Sequence, residues 1–155
     1  MGGRNKTLAG KLLKLQKRFV GMMAEARGRY HSDPLFSRFK ILKIDELYRQ
    51  QLRMYAWQFW NGGLPEGQAA LYQRTTETHG HATRLAGSNI SILTRDHGSI
   101  RFRMPKEWSA IPESLKESRS ITAFKGASKR QIIEQYSSFE CMEVGCVVCE
   151  GDVNG

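Results

Sequence analysis

Residues 7–26 read TLAGKLLKLQKRFVGMMAEA. Leu8, Leu12, Leu15, Phe19 and Met22 recur at steps of four, three, four and three, the spacing of one apolar stripe along an α-helix. Lys11, Lys14, Lys17 and Arg18 fall off that stripe, on the wet side. Asn5 or Thr7 offers a cap at the start and Gly28 a stop at the end. A basic amphipathic helix also suits a membrane surface or a calmodulin-like groove. A core helix with a basic outer face is the commoner arrangement, so the stripe is expected to face inward.

The next segment, HSDPLFSRFKILKIDELYRQQLRMYAWQFWNGG, continues the helical pattern. Asp33-Pro34 reads as a helix opening, with Asp as cap and Pro in the first turn. Leu35, Phe36 and Phe39 fill a short apolar turn. Asp45 caps a longer helix from about Glu46 to Trp60, with Tyr48, Leu52, Tyr55 and Phe59 as its stripe, Met54 beside them, and Asn61-Gly62-Gly63 as its stop. Trp57 and Trp60 are either nucleobase platforms or core. Aromatic residues at helical spacing pack inward more often, which favours core.

Beyond Leu64-Pro65 the pattern weakens. Residues 73–89 read as loop. Residues 90–94 (ISILT) and 99–104 (SIRFRM) read as two strands around a turn containing Asp96 and Gly98. In the second strand Ile100, Phe102 and Met104 alternate with Arg101 and Arg103, which places both arginines on one wet face. Pro105 and Pro112 bracket a turn that holds Trp108. Ser120 caps a last helix to about Ser138, with Phe124, Ile132 and Tyr136 inward and Gly126 as a weak point. Residues 139–155 hold four acids and no Lys or Arg. The expected architecture is α+β and mostly α: amphipathic helices, one small antiparallel β-hairpin and a disordered C-terminal tail. Residues 1–10 are expected to be disordered, 11–138 to form one region, and 139–155 to be an acidic, cysteine-containing tail.

The net charge of the 155 residues is +9, and residues 1–60 concentrate it, with 13 Lys/Arg against 4 Asp/Glu. A local positive excess of this kind attracts phosphate polyanions or is simply a solvated helix face. The first residues lack an apolar signal region, and no apolar run approaches the ~20 residues that span a bilayer. An intracellular protein, in cytoplasm or nucleus and without a membrane partner, is expected.

Two clusters raise the question of a metal. In HGHATR (79–84), a His-x-His pair can turn both rings toward Zn²⁺, but the third ligand is missing, which favours a loop pair hydrogen-bonded locally. Arg84 in the same box either holds a phosphate or binds a carboxylate inside the fold. Cys141, Cys146 and Cys149 echo three of the four ligands of a zinc or iron–sulfur site, and free thiols are the favoured reading. No Gly-x-Ser-x-Gly, no Cys–His arrangement in a recognisable context and no phosphate-binding Gly-rich loop is present. The four aspartates, Asp33, Asp45, Asp96 and Asp152, are not adjacent, so no two-metal carboxylate centre is legible.

Taken in order, "KLLKLQKRFVGMM", "DPLFSRFKILKIDELYRQQLRMYAWQFWNGGLP", "HGHATR" and "SIRFRMPKEWSAIPESLKESRSITAFK" resemble the C-terminal region of reverse transcriptases from LINE-type, jockey-like non-LTR retrotransposons. The resemblance runs from about Lys11 to Lys129. It departs at Ser109, where the family usually has Asn after Trp, and at Thr94 to Ser99, which is a few residues short; Met1 to Gly10 matches nothing in it. The resemblance implies a thumb-side or post-polymerase segment. The catalytic Asp-Asp palm, and its Mg²⁺, would lie upstream, so the segment has no cofactor and is inactive as a polymerase alone. Implied partners are RNA or DNA backbone, met by Lys11, Lys14, Lys17 and Arg18 with Arg84, Arg101 and Arg103 as further cations, and the upstream polymerase domain. The alternatives are a scaffold segment docked on that palm, or a remnant without a present role.

Overall fold

The structure, a computed structural model, describes residues 3–27, 30–75, 89–93, 100–137 and Cys146. It is mostly helical with one antiparallel strand pair. The elements are α1 (Gly3–Met23), α2 (Ser32–Arg38), α3 (Ile44–Trp60), α4 (Glu66–Ala69), β1 (Tyr72–Thr75), β2 (Asn89–Ile92), α5 (Ile100–Ser109), α6 (Glu113–Lys116) and α7 (Ile121–Ser137). Among the described residues no helix is long and apolar enough to cross a membrane. Where one region was expected, the chain divides into two compact units, residues 1–48 with 129–155 and residues 49–128.

In the first unit the core is Val20, Leu35, Phe36, Leu42, Ile132 and Tyr136. Helix α1 packs on α2. Residues 3–10, expected to be disordered, belong to α1. The larger correction concerns which side of α1 is buried. Val20 and Gly21 are buried, and Ala9, Leu13, Gln16 and Ala24 are half-buried. The stripe that periodicity assigned to the core is exposed along its whole length. Gln16 explains the choice of face. Its side-chain amide donates to the Leu42 carbonyl at 3.2 Å, and its oxygen accepts from the Ile44 N–H at 2.8 Å. Gly21 reinforces it, because a Cβ there would lie 2.0 Å from the Tyr30 hydroxyl, which itself donates to the Lys17 carbonyl at 3.2 Å.

Helix ends follow backbone sterics more than capping side chains. At the end of α3, Gly62 takes φ 73°, its N–H meets the Phe59 carbonyl, and the Gly63 N–H meets the Gln58 carbonyl at 2.7 Å. This six-to-one and five-to-two pair of bonds is the Schellman closure. The same two bonds end α1 and α2 on non-glycine residues, Glu25 at φ 52° and Lys40 at φ 53°. Gly28, the expected stop of α1, lies outside the described residues. Asp33 and Asp45, expected as caps, sit within the first turns of α2 and α3. There the Asp33 carboxylate takes the Lys43 ammonium at 2.7 Å. Ser120 does cap α7, its hydroxyl accepting from the Ala123 N–H at 3.1 Å.

The second unit closes around Leu52, Ala56, Phe59, Tyr72, Ile90, Met104, Trp108, Ile111 and Phe124. Strand β1 pairs antiparallel with β2, Tyr72 facing Ile92 and Thr75 facing Asn89. Two expectations fail here. Residues 73–75, read as loop, lie in strand β1, and residues 100–104, read as part of a second strand, open helix α5. The six-residue alternation is a short signal. Ile100, Met104 and Trp108 also stand at four-residue steps, and the helical period prevails because Met104 and Trp108 are both fully buried on it. Pro105 therefore lies inside a helix instead of bracketing a turn. The turn at Asp96 and Gly98 lies outside the described residues.

Gly126 sits exposed in the middle of α7, and a Cβ there would meet nothing within 4 Å. Gly126→Ala is therefore expected to raise the free energy of unfolding by about 0.5–1 kcal/mol. Urea denaturation followed by circular dichroism reads this directly, and a lowered midpoint would contradict it.

Candidate docking face and cation row on the first helix

A helix turns about 100° per residue, so α1 presents three distinct sides. The buried side carries Leu13, Gln16 and Val20. Beside it lies the outward apolar stripe, with Leu15 and Phe19 each 58% exposed and Met22 70% exposed. Next to the stripe, Lys11, Lys14, Lys17 and Arg18 are all exposed and follow at steps of three, three and one. Lys11, Lys14 and Arg18 stand three and four residues apart and share one side, and Lys17 follows Lys14 at three, on the edge of the same basic arc. No Asp or Glu occurs between Gly3 and Met23.

The apolar stripe forms one wall of an open groove within the first unit. Leu12, Leu15, Phe19 and Met22 line it from α1, and Ile41 and Ile44 line it from the segment that Gln16 clamps. Its volume is about 740 Å³. Arg18 reaches the rim, so the groove joins the cation row. Apart from Gln16 and Arg18 the lining of this groove is apolar.

The other expected site residues divide. Arg84 and both histidines of HGHATR lie outside the described residues. Arg103 is exposed on α5. Arg101 lies in the same helix, so the strand expected to carry both arginines does not form. Cys141 and Cys149 are outside the described residues. Cys146 is buried, and its Sγ accepts from the His31 backbone N–H at 3.1 Å. Among the described residues no group of three or more His, Cys, Asp or Glu gathers as metal ligands.

Trp57 and Trp60 pack on the core of the second unit, Trp57 stacked on Phe124 at 6.0 Å and Trp60 tilted on Trp108 at 5.6 Å. They serve the fold there. Sequence reading missed a charged cluster in the same unit. Arg53, 2% exposed, places Nε 3.7 Å from the Glu107 carboxylate and donates from Nη1 to the Ser128 hydroxyl at 3.4 Å. Arg49 donates to the same carboxylate at 3.3 Å. Arg53 falls four residues after Arg49 in a helix whose neighbours are aromatic, and only long-range partners make its burial tolerable. No protein-family model matches the chain, and no curated protein or solved structure matches it.

Adjacent residues on α1 give a sharp test of the face assignment. Phe19→Asn is expected to change stability by no more than about 0.5 kcal/mol, as for an exposed position. Val20→Asn places an amide in the core and is expected to cost about 2 kcal/mol or more. Chemical denaturation of both variants decides it; the reverse order would mean that the stripe faces inward.

Proposed function

We propose that the chain is a non-catalytic interaction module that docks a partner through the outward face of α1. The observation that carries this reading is the exposed run of Leu8, Leu12, Leu15, Phe19 and Met22 on one helix face. A contiguous apolar face of that length bordered by charge marks a site of association in a folded protein. The resemblance to a reverse-transcriptase C-terminal region supports the same role, that of a segment docked on a polymerase palm. On this reading the chain acts inside the cell, in cytoplasm or nucleus, needs no cofactor of its own, and leaves Mg²⁺ and bond formation to the palm.

The open face is expected to bind the apolar dye ANS in the native full-length chain, with circular dichroism unchanged and the fluorescence strongly reduced by combined Leu15→Asn and Phe19→Asn substitution. Native protein that leaves the dye dark would overturn the reading.

The cation row favours a second reading, contact with RNA or DNA backbone. Lys11, Lys14, Lys17 and Arg18 are exposed together and meet phosphates without reading bases. Four such contacts give a slope of log K against log salt of about −3 on a single strand, and Lys14→Ala is expected to reduce it by about 0.7. Fluorescence anisotropy with a labelled oligonucleotide across a salt series measures it, and affinity that is flat across salt contradicts this mechanism.

A further inference from the structure

We infer that the groove on α1 takes an amphipathic α-helix whose flanks are acidic. This identifies the class of partner for the docking face proposed above and rests on that reading. Three observations lead to it. First, the steps of four, three, four and three repeat every seven residues, the period of a seam between paired helices. The inward side of α1 is already taken by Leu13, Gln16 and Val20. The outward stripe is thus a second apolar face, left uncovered by the core of its own unit.

Second, the stripe is the wall of a groove. Ile41 and Ile44 line it together with Leu12, Leu15, Phe19 and Met22. A rod laid along it therefore meets apolar side chains from two stretches of the chain. Laying an apolar helix face into such a groove is an established mode of recognition, with anchors at the spacing shown here.

Third, charge selects the occupant. Lys11 and Arg18 stand seven residues apart, each immediately before a seam residue, and Lys14 lies on the same side. These are the flanking positions at which opposite charges decide partner choice in paired helices. A second copy of α1 would set Lys and Arg against Lys and Arg, since the helix contains no carboxylate to receive them. A helix with Glu or Asp beside its apolar seam meets both features at once.

The test uses the full chain and three synthetic 21-residue helical peptides. One has leucine at the seam and glutamate at the flanks, one the same leucines with lysine at the flanks, and one a scrambled seam. Isothermal titration is expected to show micromolar, salt-dependent binding of the glutamate peptide alone. Leu15→Asn or Phe19→Asn should weaken it at least about tenfold, as for loss of a central apolar anchor. Lys11→Glu combined with Arg18→Glu should transfer preference to the lysine peptide. That reversal is an outcome a merely structural role for the cations would not produce.

Absence of binding by the glutamate peptide, or equal binding of both charged peptides, overturns the inference. So does capture of the stripe by vesicles of phosphatidylserine and phosphatidylcholine, by an oligonucleotide that competes at the groove, or by a second copy seen in sedimentation. If ANS still reports the open face while the peptides fail, the docking reading survives and only the identity of the partner is wrong. If ANS is dark, both fall together.

Discussion

The two hydrogen bonds made by Gln16 decide which way the first helix faces. One amide side chain bridges the Leu42 carbonyl and the Ile44 N–H, at 3.2 and 2.8 Å, and so ties α1 to the segment between α2 and α3. Half-buried backbone groups must find partners, and satisfying two with one side chain fixes the rotation of the helix about its axis. With Gln16 inward, Leu13 and Val20 follow it inward by helical spacing, and Leu12, Leu15 and Phe19 are carried outward. The groove and the row of cations beside it are consequences of that rotation.

The same segment shows how the first unit tolerates a helix that buries so little of its strongest apolar pattern. Lys43 joins several elements at once. Its ammonium lies 2.7 Å from the Asp33 carboxylate and 4.4 Å from the centre of the Tyr136 ring, and its backbone N–H donates to the Tyr136 hydroxyl at 3.2 Å. Phe36 and Tyr136 meet edge to face at 6.4 Å. Charge, aromatic faces and a buried hydroxyl thus hold α2 and α7 around Val20, Leu35 and Ile132 without help from the outward leucines.

Much of this was legible in the chain. The extents of α3 and α7, the stop at Asn61-Gly62-Gly63, the Ser120 cap, the inward Phe124, Ile132 and Tyr136, and the core role of Trp57 and Trp60 all follow from local rules of spacing and capping. What was not legible depended on partners distant in sequence. The period of Leu8, Leu12, Leu15, Phe19 and Met22 proves a face but says nothing about whether that face is covered. Only Gln16 marks the other side, and a lone glutamine in a basic helix gives no signal until Leu42 and Ile44 are beside it. The short alternation at 99–104 fits a strand and a helix equally well until Met104 and Trp108 are placed in one core. Glu25 and Lys40 close helices in a conformation that favours glycine, so no residue type announced those ends.

The central claim, that α1 turns its leucine and phenylalanine stripe outward, is tested most directly on the unaltered protein by hydroxyl-radical footprinting of dilute, monomeric chain. Met22 and Phe19 are expected to oxidise rapidly, while Met104 and Trp108, both fully buried, oxidise slowly under the same dose. Protection of Met22 and Phe19 equal to that of Met104 and Trp108 would contradict the account.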